Sequence, residues 1–174
     1  MAQTNPRARD KYMSYQKHTK LRVGAVELCD LPDLGINKLH VRVDTGAATS
    51  SLHVDNLEEF SRGKKNFVRF DLHPDIHNVD DIVSLTAPVD GTKKVKSSSA
   101  DTEKRVVITT AFRLSGREWP IKLTLTDRSE MTYMMLLGRE AMGGRVIVDP
   151  EFEYLLSMED LDEEEELPGD FEEE

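Results

Sequence analysis

The chain has few of the features that form disulfide cross-links or membrane-spanning segments. It contains a single cysteine, Cys29, among 174 residues, so no disulfide can form within it, and a lone thiol is typical of a reducing compartment. No apolar run approaches the roughly 20 residues that cross a bilayer, and the N-terminal segment is basic without a hydrophobic stretch. These absences predict a cytoplasmic protein with neither a signal peptide nor a membrane span.

Sequence signatures of several other chemistries are also missing. No Gly-x-x-x-x-Gly-Lys-Ser/Thr loop is present to hold nucleotide phosphates, and no His-Glu-x-x-His helix is present to bind zinc. Cys29 has no evident histidine partner for thiol catalysis. The net charge of -10 argues against nucleic-acid binding. Any dependence on ATP would therefore have to come from a partner protein.

The negative charge is concentrated at the C-terminal end. Residues 159–174 hold eleven of the 33 acidic residues and no basic residue, which leaves 22 acids against 23 bases elsewhere. Like charges in such a run repel one another, which predicts a disordered, solvated tail. Residues 1–20 are polar without a hydrophobic period and predict a flexible arm. One domain is therefore expected over residues 21–158.

Short-period alternation of apolar and polar residues within 21–158 indicates strands rather than long helices. Leu39, Val41 and Val43 alternate with polar residues and lead directly into Asp44. Ser115-Gly116 separates two further alternating runs and predicts a hairpin, while 139–142 predicts one helical turn. Other strands are predicted at 21–28, 67–72, 82–85, 134–137 and 146–148, with an edge segment at 154–156. Many short strands predict an all-β domain, a small closed barrel or a sandwich.

The stretch 90–104 interrupts this pattern. It is rich in Lys, Ser, Gly and Asp, which predicts a long exposed loop inserted into the domain. Lys93, Lys94 and Lys96 make it basic, and no aromatic residues are interleaved with them. A solvated surface loop is the simplest interpretation, although such a stretch could meet an acidic peptide.

The best candidate for chemistry is the tripeptide Asp44-Thr45-Gly46. A strand that ends in it places a carboxylate at the mouth of the sheet, and the glycine permits a tight turn and close backbone approach. The Thr45 hydroxyl can brace the turn. Taken alone, the tripeptide is equally well explained as a strand end rich in turn residues. A second segment, Met135 to Arg139, favours chemistry because it places apolar residues before a glycine, after an intervening hairpin.

Together the two segments resemble those of the retropepsins. In that family an Asp-Thr-Gly-Ala turn carries the catalytic aspartate, and a later aliphatic-aliphatic-Gly-Arg segment packs beneath it before a short helix. The matching residues are Asp44, Thr45, Gly46 and Ala47, then Leu136, Leu137, Gly138 and Arg139. The resemblance implies an acid-protease barrel in which Asp44, Thr45 and Gly46 form the catalytic turn. Support or substrate contact is implied for Ala47, Thr49, Leu136, Leu137, Gly138 and Arg139.

A narrower resemblance extends over about residues 21–156, apart from 93–103. The string from Val43 to His53, the segment Leu-Thr-Leu-Thr-Asp-Arg at 123–128 and Asp149-Pro150 are similar to a bacterial group called ATP-dependent zinc proteases. Its members are often found near ATP-grasp glutamate ligases. The resemblance implies a functional link to such a ligase and, as substrates, acidic or glutamylated tails.

Ala48 departs from both patterns. Proteins of the bacterial group often have a basic residue at this position, and retropepsins often have an acid that pairs with the later arginine. Arg139 must therefore have a partner other than residue 48. The departure affects the expected dimer and substrate contacts and leaves Asp44 itself unchanged.

A single aspartate is insufficient for aspartic peptidase chemistry. Such sites hold two carboxylates so close that repulsion keeps one protonated, and one then acts as base while the other acts as acid. Only one Asp-Thr-Gly occurs in the chain. A twofold homodimer is therefore expected to bring two copies of Asp44 together. The expected function is hydrolysis of peptide or glutamyl amide bonds by water that these carboxylates activate.

Two alternatives stay open. A zinc peptidase would use histidines, and His53, His73 and His77 are the candidates, but Pro74 disfavours a helical pairing of His73 with His77 and three ligands are not assigned. The aspartic interpretation requires no cofactor. The other alternative is a binding module of the same fold that recognises acidic peptide ends and regulates a partner enzyme. It is motivated by Ala48 and by the lack of an obvious glycine-rich flap.

Overall fold

Strands dominate the structure, a computed structural model that describes residues 20–74, 80–96, 101–127 and 132–158. The strands are β1 (Leu21–Val23), β2 (Val26–Leu31), β3 (Ile36–Val43), β4 (Ser50–His53), β5 (Asp55–Arg62), β6 (Lys65–Leu72), β7 (Val83–Pro88), β8 (Gly91–Lys96), β9 (Thr102–Leu114), β10 (Arg117–Thr126), β11 (Met135–Leu137) and β12 (Val146–Val148). A 3-10 helix covers Pro32–Leu34, and helix α1 covers Arg139–Met142. The predicted helical turn at 139–142 is confirmed.

Six strands close into a barrel. Their order is β10, β4, β11, β3, β2 and β9, and β9 pairs back onto β10. β8 extends from β9 outside this ring, β5, β6 and β7 form a separate three-stranded sheet, and β1 pairs with β12. Closure removes free strand edges from the ring. The all-β, retropepsin-like barrel expected from the sequence is confirmed.

The core fills the barrel because alternate side chains of its strands point inward. In the first part of β10, Trp119, Ile121 and Leu123 are buried, whereas Pro120 and Lys122 between them are exposed. The largest fully buried side chains are Phe70, Phe112, Leu31, Leu39, Leu52, Leu72, Ile108, Leu114, Leu123, Leu125, Met135 and Leu137. Burial of one such side chain contributes about 1.5–3 kcal/mol.

The hairpin at Ser115-Gly116 is confirmed. Ser115 and Gly116 have positive φ values of 44° and 72°, as a two-residue turn between twisted strands requires. On either side of them β9 and β10 pair from Leu114 with Arg117 to Val106 with Leu125.

The predicted loop at 90–104 is wrong where the structure describes it, at 90–96 and 101–104; residues 97–100 lie outside the described residues. β8 and the beginning of β9 occupy it and pair from Gly91 with Val107 to Lys96 with Thr102. The prediction failed because it relied on the low apolar content of this stretch. Most side chains of the described strands here face solvent, while their backbone N–H and C=O groups are paired between β8 and β9. β5 was missed for the same reason, since its side chains are mostly exposed.

The predicted edge segment at 154–156 is also wrong. Residues 155–158 are helical, and the segment is held on the barrel by buried Glu27, whose Oε1 accepts hydrogen bonds from the backbone N–H of Gly24 at 2.8 Å and of Leu156 at 3.3 Å. A backbone bond of 2.7 Å from Tyr154 N–H to the Val26 carbonyl also holds the segment, so isolated bonds rather than continuous strand pairing attach it to the barrel. Among the described residues, no helix is long and apolar enough to cross a membrane. The predicted arm at 1–20 and tail at 159–174 lie outside the described residues, except for Lys20.

The buried thiol of Cys29 provides a test of this packing. Cys29 is 2% exposed and its Sγ lies 3.9 Å from Sδ of Met135. Burial, with a smaller contribution from the charge of Asp30, raises the pKa of the thiol far above its usual range. We expect the native protein to react with a disulfide reagent at least about tenfold more slowly than the protein in guanidinium. Absorbance of the released thiolate measures both rates, and equal rates would contradict the burial of Cys29.

Candidate active site

The Asp44 turn follows β3 at the rim of the barrel. β3 ends at Val43, and the next residue is tied to the neighbouring strand by a hydrogen bond of 3.0 Å from Asp44 N–H to the Leu137 carbonyl. The Asp44 side chain is partly exposed, and its Oδ1 accepts a hydrogen bond of 2.8 Å from Gly46 N–H. This contact from a carboxylate to the N–H two residues on is a typical turn-forming interaction. It holds the carboxylate in a fixed position within the turn.

The second predicted segment lies beside this turn. β11 is inserted between β3, to which it is parallel, and β4, to which it is antiparallel, with Leu137 opposite Val43 and Leu136 opposite Ser51. Leu136 and Leu137 are buried. The structure therefore brings together the two segments that the sequence placed far apart, in the arrangement that the retropepsin resemblance implied.

Glycine at 138 allows close contact with the chain that leaves the turn. A Cβ atom built at Gly138 would lie 2.6 Å from the Thr49 carbonyl carbon and 2.9 Å from the Ser50 nitrogen, much closer than real Cβ atoms approach backbone. The Gly138 N–H donates to Ser50 Oγ at 3.0 Å. Thr49 thus serves the site through its backbone contact with Gly138.

Helix α1 continues this support. Its first two N–H groups bond to the turn, from Arg139 to the Ala47 carbonyl at 2.9 Å and from Glu140 to the Ala48 carbonyl at 3.0 Å. The Arg139 guanidinium donates through Nη1 to the Thr45 carbonyl at 2.8 Å. The partner that Arg139 needed in place of residue 48 is therefore a backbone oxygen of the Asp44-Thr45-Gly46 tripeptide. Together these bonds hold the turn from beneath.

A second cluster of polar side chains lies at the other end of β4. His53 is buried, with Nε2 3.6 Å from Asp55 Oδ1 and Nδ1 3.7 Å from Asp127 Oδ1. The nearby His73 Nε2 lies 2.9 Å from Asp55 Oδ2. One ligand atom from each of His53, Asp55 and Asp127 lies within 4.8 Å of the others.

Only part of this cluster was expected. His53 was a metal candidate, His73 contacts the group through Asp55, and His77 lies outside the described residues. Asp55 and Asp127 were missed as candidates, although Asp55 is two residues from His53 and Asp127 belongs to the segment at 123–128. The cluster lies at the His53 end of β4, about 10 Å at the usual rise of a strand from Ser50, where the chain enters β4 after the Asp44 turn.

A closed β-barrel whose Asp-Thr-Gly turn rests on two buried aliphatic residues followed by Gly-Arg defines the retropepsin-like class. Residues 22–159 match the family model described as the retropepsin-like aspartic endopeptidase RimB, and the chain belongs to this RimB-like family. The fold of this chain is similar to the crystal structure of Lpg0085 from Legionella pneumophila, a protein of unknown function, with a TM-score of 0.65 and 29% sequence identity. The match covers 79% of this chain and 99% of Lpg0085.

Curated relatives carry a different name. The chain is 46% identical over 132 residues to a probable alpha-L-glutamate ligase of Parasynechococcus marenigrum, a match that covers 76% of this chain and 28% of the relative. It is 40% identical over 150 residues to a protein of the same name in Shewanella halifaxensis, covering 86% of this chain and 33% of the relative. The chain therefore spans about a third of the length of these relatives.

Proposed function

We propose that this protein is an aspartic peptidase that works as a homodimer with one Asp44 from each subunit. The observation that carries the proposal is the Asp44 turn itself. Its carboxylate is oriented by Gly46 N–H at 2.8 Å, while Gly138, Arg139 and Glu140 hold the surrounding backbone from the protein side. A rigidly supported carboxylate at a rim is what a site shared across a twofold axis requires.

The chemistry follows from the repulsion between two close carboxylates. One Asp44 stays ionised and takes a proton from water as the water oxygen attacks the amide carbon, while the other donates its proton to the carbonyl oxygen. The first aspartate then gives its new proton to the amide nitrogen, the second takes a proton from a hydroxyl of the tetrahedral intermediate, and the carbon–nitrogen bond breaks. The products are a carboxylic acid and an amine, and both aspartates return to their starting state.

The proposed substrates are glutamyl amide bonds in acidic tails. Relatives that contain a segment similar to this chain are named probable alpha-L-glutamate ligases, and a ligase of that name joins glutamate through an amide bond. A hydrolase that cleaves the same class of amide bond would remove the glutamates that such a ligase adds. This relation supports both the substrate and a functional link to an ATP-grasp glutamate ligase.

The dimer is tested by sedimentation equilibrium together with hydrolysis. We expect a mass twice the 19.8 kDa of the chain at micromolar concentration, and specific activity that rises with protein concentration through the same range as the dimer. The substrates are synthetic peptides that end in several glutamates, with released amines as the signal. A strict monomer with full activity would contradict the paired site.

Zinc chemistry is the second candidate, and the cluster of His53, Asp55 and Asp127 favours it. Zinc takes imidazole nitrogen and carboxylate oxygen ligands at about 2.0–2.2 Å, so the three ligand atoms, within 4.8 Å of one another, suit one ion after small side-chain rotations. Bound zinc would lower the pKa of a water molecule and so supply a nucleophile. His73 would orient Asp55.

Treatment with a chelator distinguishes the aspartic mechanism at Asp44 from a zinc mechanism at the His53 cluster. We expect hydrolysis to persist after dialysis against EDTA if Asp44 carries the reaction. Loss of hydrolysis in EDTA with recovery on added zinc would transfer the reaction to the His53 cluster. No cleavage by the dimer under either condition, with retained binding of acidic peptides, would assign the protein as a peptide-binding module.

A further inference from the structure

The β8–β9 hairpin has two faces with different surroundings. In its antiparallel pairing Lys93 lies opposite Arg105, and Lys94 lies opposite Lys104. Residues directly opposite each other share a face, and neighbours along a strand point to opposite faces. Lys93 and Arg105 are partly buried, whereas Lys94 and Lys104 are exposed. One face of the hairpin therefore carries a pair of cations turned towards the protein.

Lys93 connects this face to the catalytic turn. Its Nζ lies 3.0 Å from Glu140 Oε1 on helix α1, and Glu140 N–H donates to the Ala48 carbonyl at 3.0 Å. Ala48 lies four residues beyond Asp44. The Lys93 ammonium is thus linked through one residue, Glu140, to the chain that leaves the Asp44 turn.

Arg105 extends the positive face away from that point. Its side chain is 13% exposed, and its Nε lies 2.8 Å from Glu103 Oε2. The other oxygen of Glu103 accepts a hydrogen bond of 3.3 Å from Thr126 Oγ1, at the end of β10. A guanidinium carries five N–H donors, so the bond through Nε leaves donors for a second carboxylate.

We propose that Lys93 and Arg105 form the specificity pocket for acidic substrates, in which they bind glutamate carboxylates along the β8–β9 hairpin, from helix α1 next to the Asp44 turn towards the end of β10. The inference rests on the proposed peptidase function and names its specificity-determining residues. Each cation already binds one carboxylate in the structure: Lys93 binds Glu140, and Arg105 binds Glu103. The Lys93–Glu140 pair is solvent-accessible, with side chains 39% and 55% exposed, and such pairs are weak enough to exchange with a substrate carboxylate.

The spacing of the two cations suits two alternate glutamates of an extended tail, which share one face. Residues opposite each other on paired strands have Cβ atoms about 4.5–5.5 Å apart, and long side chains can spread their charges further. An extended peptide presents every second side chain on one face, about 6.6–6.8 Å apart. Lys93 and Arg105 can therefore hold two carboxylates of one extended tail at once.

The test compares two double variants that remove the same charge from opposite faces of the hairpin. Lys93→Met with Arg105→Met removes the proposed pocket, and Lys94→Met with Lys104→Met is the matched control. Each is assayed on a glutamate-tailed peptide and on the same peptide with glutamines. We expect the ratio of kcat/KM for glutamate over glutamine to fall at least about tenfold in the first variant, mainly through KM, and less than about twofold in the control.

A binding measurement keeps the inference separate from catalysis. A fluorescent hexaglutamate peptide is titrated into full-length protein carrying Asp44→Asn, with and without each pair of substitutions, and circular dichroism verifies folding. Weaker binding confined to the Lys93 and Arg105 variant supports the pocket even when the wild type cleaves nothing. Equal weakening by both pairs, or by neither, would overturn it. The single variant Lys93→Met serves if the loss of Arg105 prevents folding.

Discussion

Replacement of Asp44 by Asn is expected to reduce kcat for hydrolysis of a glutamate-tailed peptide by about a thousandfold or more. The amide keeps the shape of the side chain, and its oxygen can still accept the hydrogen bond that Gly46 N–H donates to Oδ1 at 2.8 Å. It cannot act as a base, however, and two amides in a dimer cannot share a proton. The turn is therefore preserved while the chemistry is lost.

The measurement is steady-state hydrolysis with wild type, Asp44→Asn and a control, Asp81→Asn, which makes the same charge change at an exposed position. Circular dichroism and sedimentation verify that fold and assembly are unchanged. Full activity in Asp44→Asn would remove this residue from the reaction. A loss of similar size in Asp81→Asn would show that the effect comes from net charge rather than from the site.

Replacement of Gly138 by Ala is expected to destabilise the protein by about 3 kcal/mol and to lower Tm by roughly 10 °C. The added Cβ would lie 2.6 Å, 2.8 Å and 2.9 Å from the Thr49 carbonyl carbon, the Thr49 oxygen and the Ser50 nitrogen. All three are backbone atoms, so no side-chain rotation can relieve the overlap. Either β11 or the chain after the Asp44 turn has to move.

Gly143→Ala is the matched control. A Cβ atom there would lie 3.5 Å from the Arg139 oxygen, an ordinary contact, and Gly143 has a negative φ of -54°. We expect its stability to stay within about 1 kcal/mol of wild type. Urea unfolding followed by tryptophan fluorescence measures both variants. Equal midpoints for the two would mean that the close packing of β11 beneath the turn is not present in solution.

Gly138→Ala also links stability to the proposed reaction. The Gly138 N–H bonds to Ser50 Oγ, and the next two N–H groups bond to the Ala47 and Ala48 carbonyls. A shift of β11 would alter all three bonds and so displace the Asp44 carboxylate. We therefore expect activity to fall even at temperatures where the variant remains folded, because hydrolysis requires closely defined positions of the reacting groups.

Elements governed by local rules could be predicted from the sequence. Leu39, Val41 and Val43 alternate with polar residues, and β3 ends where this alternation meets the Asp44 tripeptide. Ser115 and Gly116 adopt the positive φ values that a tight hairpin needs. Both features depend on neighbouring residues alone, so the pattern of a few positions was enough.

Elements stabilised mainly by their neighbours could not be predicted. β5 and β8 are polar on most positions, yet both form strands because β6 and β9 supply partners for their backbone groups. Residues 154–156 were predicted to form an edge segment, but 155–158 are helical and the buried Glu27 accepts a hydrogen bond from the N–H of Leu156. Strand pairing and side-chain capping over long sequence distances override local pattern.

The sequence by itself determined the Asp44-Thr45-Gly46 turn and its supporting segment, because both are short strings whose residue types are demanded by a tight turn and by close packing. It also indicated the all-β class through alternation. Only the tertiary structure decided which distant groups meet: Arg139 with the Thr45 carbonyl, 94 positions away, and His53 with Asp127. Barrel closure sets these contacts, since the order of paired strands, rather than distance along the chain, determines which side chains share a rim.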